Sequence, residues 1–178
     1  SHDSTAWVVG ADRRRWFNSG DLARCDEDGY LWLAGRAKDL IIRGGHNIDP
    51  QVIEECLCEH PDVALAAAVG QPDAHAGEVP MAYVVLREGS TASSEALREF
   101  AAGRIPERAA VPVRIEIIAQ MPVTAVGKIF KPRLRHLAIE RVCGELLQVK
   151  GIEASVAVRD DKRLGTVAAI RLVDAAMR

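Results

Sequence analysis

The residues most suited to chemistry lie in Met121-Pro122-Val123-Thr124-Ala125-Val126-Gly127-Lys128-Ile129-Phe130-Lys131-Pro132-Arg133-Leu134-Arg135. A strand-like run over residues 113–119 leads into a loop punctuated by Pro122 and Gly127. Lys128 stands directly after that glycine, and a basic helical pattern follows. Lysine is scarce in this chain: only Lys38, Lys128, Lys131, Lys150 and Lys162 occur, and every other strong base is arginine. An ammonium on a flexible stem in a mobile loop suits contact with a moving charge, whereas the planar guanidinium fork suits a fixed bidentate partner. A solvated loop lysine beside a helix start is the alternative, and the loop alone does not choose between the two.

No other set of reactive side chains has metal-binding spacing. Cys25, Cys56, Cys58 and Cys143 form no Cys-x-x-Cys pair. Cys56 and Cys58 lie two apart on a predicted helix, so they point in different directions. They read as buried thiols in a reducing cytoplasm. His46, His60, His75 and His136 have no ligand spacing either, and no metal site is assigned.

The elements that must position the lysine follow from pattern and composition. With 178 residues, 48% hydrophobic and 27% charged, and a formal net charge of -2, the composition is that of an ordinary soluble domain. There is no basic excess for nucleic acid, and no apolar run approaches the roughly 20 residues of a membrane helix. Aromatic content is 4%, so the core must be built from Val, Ile, Leu and Ala.

Asp28-Gly29 between apolar flanks predicts a hairpin, with arms over residues 22–24 and 30–33. Such a ribbon is marginal alone, and the first thirty-odd residues read as the tail of something larger. A short apolar strand, Leu40-Ile41-Ile42, is bracketed by glycines. Asp49-Pro50 predicts a helix start, with Asp as N-cap and Pro at the first helical position. Strands are predicted over 63–69 and 80–86, with the turn at Gly70-Gln71-Pro72-Asp73. A helix capped by Ser93 or Ser94 follows, then the strand over 113–119 and a helix over about 132–147. Residues 152–173 predict a β-hairpin turning at 160–165. The expected fold class is α+β: a small domain with a central three-stranded sheet, flanking helices, an N-terminal hairpin and an extra C-terminal hairpin.

Three motifs in register carry a family resemblance. Ser19-Gly20-Asp21 is followed by Gly35-Arg36-x-Lys38-Asp39 with Ile42-Arg43-Gly44-Gly45-x-Asn47-Ile48, and then by Pro122-x-Thr124-x-x-Gly127-Lys128-Ile129. Gly70-x-Pro72-Asp73-x-x-x-Gly77-Glu78 fits between them. Together they resemble the C-terminal part of the adenylate-forming superfamily: acyl-CoA synthetases, peptide-synthetase adenylation domains and luciferase.

The resemblance implies two half-reactions, in which a carboxylate first attacks the α-phosphate of ATP and a thiol then takes the acyl group. Lys128 matches the catalytic lysine of adenylation, Asp21 the carboxylate on the ribose hydroxyls, and Arg36 an arginine that reaches the nucleotide. Ser19 stands where threonine is usual and keeps the hydroxyl. Lys38 matches the hinge about which the small domain swings, and Gly44 and Gly45 line the channel for the pantetheine arm.

The implied organisation is residues 1–37 as the tail of a large N-terminal AMP-binding domain, 38–147 as the swivelling C-terminal domain, and 148–178 as an extension. That extension is unusual for the family. Sheet extension, packing on the N-terminal domain and a homodimer contact all stay open for it. The implied ligands are a carboxylic acid, fatty or aromatic, with ATP, coenzyme A, and Mg2+ arriving on ATP without a protein ligand here. Two alternatives remain, an adenylation domain loading a carrier protein and a non-catalytic module that kept the fold. The phosphate-binding loop and acid pocket of the family lie outside these residues, so the fragment alone is expected to be inactive.

Overall fold

A computed structural model describes residues 6–172, which divide into two compact units meeting between Leu40 and Ile41. The first unit is two antiparallel ribbons. β1 (Trp7–Val9) pairs with β2 (Arg15–Phe17), and the Trp7 and Phe17 rings meet edge to face with centroids 5.5 Å apart. β3 (Asp21–Cys25) pairs with β4 (Leu31–Arg36) around the predicted Asp28-Gly29 turn. Gly29 has φ +85°, which a side chain would disfavour. Asp26 organises this turn. Its carboxylate accepts from Trp32 Nε1 at 2.7 Å and from the Tyr30 and Asp28 amides. These bonds, Trp32 first, hold the Asp26 carboxyl below the usual range. Tyr30, Leu31, Trp32 and Leu33 stay exposed.

The second unit is a five-stranded sheet between two helical layers. β5 (Ile41–Arg43) and β6 (His46–Ile48) form a short hairpin, joined through Arg43 to Gly77 on β8 (Gly77–Leu86). β8 is central: it pairs antiparallel with β7 (Val63–Asp73) and parallel with β9 (Arg114–Ile117). The three expected strands are thus β7, β8 and β9, and β5–β6 extends them.

One turn lies elsewhere than the pattern suggests. β7 continues through Pro72 to Asp73, and β8 already begins at Gly77. β7 is an edge strand, where proline's missing N–H leaves no gap in a ladder. The turn is made instead by Asp73 Oδ1, which accepts from the His75 and Ala76 amides.

Both faces of the sheet are buried, so β7 and β8 read as continuous apolar runs. Ala66, Ala68, Ala82, Val84 and Ile115 face α1 (Pro50–Cys58) and α2 (Ser94–Ala102), which contribute Ile53, Cys56, Leu57, Leu97 and Ala101. Ala67, Val69, Met81 and Tyr83 face α3 (Lys131–Val149) through Leu134 and Ala138. Asp49 caps α1 by accepting from Gln51 N, and Ser93 caps α2 by accepting from Ala96 N. Burial raises the Cys56 thiol above its ordinary value.

β10 (Ala154–Asp161) and β11 (Gly165–Leu172) form the C-terminal hairpin, a two-stranded sheet of its own rather than an addition to the main one. It is tied to α3 by Glu140 Oε1, which accepts from Val158 N at 3.0 Å, and by a 3.1 Å contact between His136 Nε2 and Asp160 Oδ1. The last position of the expected hairpin, Val173, lies outside the described residues. No helix is long and apolar enough to cross a membrane, among the described residues.

Candidate active site

Lys128 sits exposed on a small closed turn. An isolated bridge joins Val123 to Ile129, and Thr124 N donates to Lys128 O at 2.7 Å. The Thr124 hydroxyl then accepts from Lys128 N at 3.1 Å, and Phe130 N donates to Pro122 O. Gly127, at φ +79°, makes the reversal possible. The backbone around Lys128 is therefore pinned on both sides, while its ammonium stem is left to solvent.

The turn is also anchored from below. Lys131, in the first turn of α3, places Nζ 2.7 Å from Glu54 Oε1 of α1, and both side chains are largely buried. The same Glu54 oxygen accepts from Ala68 N on β7 at 2.8 Å. α1 and α3 lie on opposite faces of the sheet, so this contact passes round the β7 edge. Nothing in the spacing of Glu54 and Lys131 marked them, because their meeting depends on the tertiary fold.

In the first unit, Asp21 and Arg36 are Cα partners across β3–β4, and Arg36 Nε donates to Asp21 Oδ1 at 3.1 Å. The Ser19 hydroxyl accepts from Asp21 N, and Gly20, at φ +76°, sends its carbonyl to Ala37 N. Both Asp21 and Arg36 are exposed. Lys38 lies in a single 3-10 turn, Ala37–Asp39, exposed and just before the division at Leu40.

Gly44 and Gly45 form the β5–β6 turn with φ of +54° and +91°, and a methyl group on either would meet nothing within 4 Å. Glu78 folds over Gly70 and accepts from Ile42 N at 3.0 Å, which ties the strand before this turn to β8. A neighbouring groove is lined by Arg43, Arg98 and Arg108, with Ile105, Val111 and Pro112. Arg43 also lines the adjoining hollow with Gly44, and its Nη1 donates to Ala109 O at 2.7 Å. Arg43 comes from β5, Arg98 from α2 and Arg108 from a 3-10 turn, so only the fold brings the three together. Lys128 and the glycine turn are carried by different elements of the second unit, the turn before α3 and the β5–β6 edge.

Residues 52–128 match the sequence profile of the AMP-binding enzyme C-terminal domain. That segment of the chain belongs to that family. The chain is 52% identical over 157 residues to a marinolic acid–CoA ligase from Pseudoalteromonas sp., covering 87% of this chain and 24% of that protein. It is 42% identical over 132 residues to a long-chain-fatty-acid–CoA ligase from Bacillus subtilis, covering 74% of this chain and 23% of that one.

Among solved structures, ATP-bound MatB from Rhodopseudomonas palustris superposes with a TM-score of 0.65 at 31% identity, over 72% of this chain and 25% of MatB. A fatty acyl CoA synthetase from Mycobacterium tuberculosis gives 0.57 at 32% identity, over 72% and 25%. The chain spans about a quarter of the length of the relatives it matches. The small mixed α/β domain of adenylate-forming enzymes is thus the fold of this chain.

Proposed function

We propose that this chain is the C-terminal part of an ATP-dependent, AMP-forming ligase that joins a fatty or aromatic carboxylic acid to coenzyme A. In the first half-reaction a carboxylate oxygen bonds to the α-phosphorus of ATP, and the bond to pyrophosphate breaks. In the second the coenzyme A thiol attacks the acyl carbonyl, the thiol proton is lost, and AMP leaves. Two anions must approach in the first step, so stabilising charge on the phosphoryl and carboxyl oxygens is most of the task.

The observation that carries this reading is the Lys128 turn, at the end of the matched domain. Its backbone is held by three hydrogen bonds between residues 122–124 and 128–130, two of which make the Val123–Ile129 bridge, and its ammonium is left exposed. A fixed base with a free charged tip is what a lysine needs to span two oxygens supplied by another part of the protein. Asp21 suits the ribose, because an ionised carboxylate takes two O–H donors from a diol. Arg36 would orient Asp21 and reach the nucleotide. Mg2+ would arrive on ATP with no ligand from these residues.

The second half-reaction fits the glycine turn. Without side chains there, a pantetheine arm can pass close to the backbone. The arginine groove beside it suits the phosphates of free coenzyme A, which favours that thiol over a carrier-bound one. In this reading residues 1–37 close the N-terminal domain, Lys38 is the hinge, 38–147 swivel, and 148–178 extend the domain.

Lys128→Ala in the full-length ligase tests it. ATP–pyrophosphate exchange is expected to fall by roughly two to three orders of magnitude, while transfer from preformed acyl-adenylate to coenzyme A survives. Equal loss of both half-reactions would make Lys128 structural. The chain alone is expected to give no exchange with any acid.

A further inference from the structure

The Lys131–Glu54 contact stands apart from the other ion pairs of the second unit in what it joins. Arg114–Glu145 and Arg141–Glu116 tie β9 to α3, and Arg133–Glu140 lies within α3. Lys131 and Glu54 have side chains only 17% and 21% exposed, and they come from helices on opposite faces of the sheet. Glu54 Oε1 is held on a second side by Ala68 N, a backbone donor that cannot change its rotamer. The carboxylate is therefore fixed in place before Lys131 reaches it, and little side-chain entropy remains to be lost on the acidic side.

Lys131 lies three residues beyond Lys128, where the pinned turn becomes α3. The turn closes on itself through Thr124 and Pro122, but those bonds fix only its internal shape. Its placement on the domain depends on what holds the start of α3. Leu134, Met121 and Ile129 pack into the cluster that contains Tyr83, and Lys131 is bound to Glu54. Apolar packing is non-directional, so it permits sliding. The ion pair is short and directional, and α1 is in turn clamped to β7.

We infer that Glu54 and Lys131 are positioning residues for adenylation, an ion-pair clasp round the edge of β7 that sets where the Lys128 turn stands on its domain. The inference rests on the reading of Lys128 as the adenylation lysine. Neither residue touches substrate. Their effect is on the placement of an ammonium that must reach two oxygens at once, a situation in which an error of about 1 Å can cost roughly a hundredfold in rate.

The test uses the full-length ligase with Glu54→Gln, Lys131→Met and Lys131→Arg, measuring the two half-reactions separately. Glu54→Gln keeps an acceptor for Ala68 N and removes only the charge. Glu54→Gln and Lys131→Met are expected to lower the rate constant of ATP–pyrophosphate exchange by roughly ten- to a hundredfold. Transfer from preformed acyl-adenylate should stay within about twofold. Lys131→Arg should recover most of the exchange rate, and amide exchange at Lys128 and Phe130 should quicken in the first two variants only.

Unchanged adenylation, or equal loss in both half-reactions without rescue by arginine, would overturn the inference. Lys128→Ala is the separating control. If it retained pyrophosphate exchange, the assignment of Lys128 would fall. The clasp would then be judged on amide exchange alone, and unaltered exchange at Lys128 and Phe130 would remove it too.

Discussion

Arg36 Nε donates to Asp21 Oδ1 at 3.1 Å from the directly opposite ladder position of β3–β4, and its Nη2 reaches Ser19 O at 3.3 Å. The arginine thereby fixes the carboxylate and the Ser19-Gly20 turn as one unit. An exposed pair of this kind contributes at most about 1 kcal/mol to stability.

Asp21→Asn should consequently leave Tm nearly unchanged while raising the KM for ATP. Loss of hydrogen bonds to a charged acceptor is worth about 1.5–3 kcal/mol, or roughly ten- to a hundredfold. Steady-state kinetics alongside a thermal melt check this. A large drop in Tm with an unaltered KM would assign Asp21 to the turn alone.

Gly45→Ala should separate the half-reactions in the opposite sense from Lys128→Ala. At φ +91° an alanine is strained although its methyl meets nothing. A cost of about 1–2 kcal/mol is expected, enough to shift the β5–β6 turn. The KM for coenzyme A should rise while pyrophosphate exchange is retained, and a rise confined to ATP would contradict the placement of the thiol channel.

Tyr83 should behave as a buried phenol without a partner. Its side chain is fully buried, and among the described residues its hydroxyl has no hydrogen-bond partner. Burial first, and then the Glu116 carboxylate, push its ionisation far above the ordinary value. Above the unfolded value of about 10, an unfolded chain releases this proton while the folded one keeps it. Stability is therefore full below that value and declines as pH rises toward the folded one. Tyr83→Phe should flatten this alkaline decline and cost nothing at neutral pH, as denaturant midpoints at about pH 8 and about pH 11 would read.

The C-terminal hairpin should loosen from α3 in acid. The bond to His136, and then the one from the Thr166 hydroxyl, hold the Asp160 carboxyl below its ordinary value of 3.8. A lowered carboxyl stabilises above the unfolded value, and that contribution is lost as pH falls through the folded one. Glu140, which accepts from Val158 N, and its partner Arg133 also lie at this junction. The protection factor of Val158 N–H is expected to drop in this window. Asp160→Asn should lower that factor at neutral pH and abolish the acid step.

Local signals gave most of the elements. Asp49-Pro50 and Ser93 cap their helices as read, because a cap needs only neighbours in the chain. Asp28-Gly29 likewise makes its turn. The β1–β2 ladder leaves no mark in the sequence, since three-residue strands hardly display a period. Pro72 suggests a turn because proline breaks interior strands, and only the sheet order reveals that β7 is an edge. Lys128 and the Gly44-Gly45 pair were legible as motifs, and Asp21 and Arg36 also meet in the fold. What stayed hidden needed distant partners: Glu54 with Lys131, Glu78 with Ile42, and the three arginines of one groove.

The acceptor that Glu54 offers to Ala68 has a consequence for solubility. β7 runs Val63-Ala64-Leu65-Ala66-Ala67-Ala68-Val69-Gly70, an uncharged segment, and it pairs with β8 on one side alone. A bare edge of this composition is a template for strands of other molecules, the first step toward fibrous aggregates. Glu54 occupies one of the outward amides and, with Lys131, puts two charges against the flank of the strand. The same pair would thus act as a gatekeeper that keeps β7 from recruiting a neighbour.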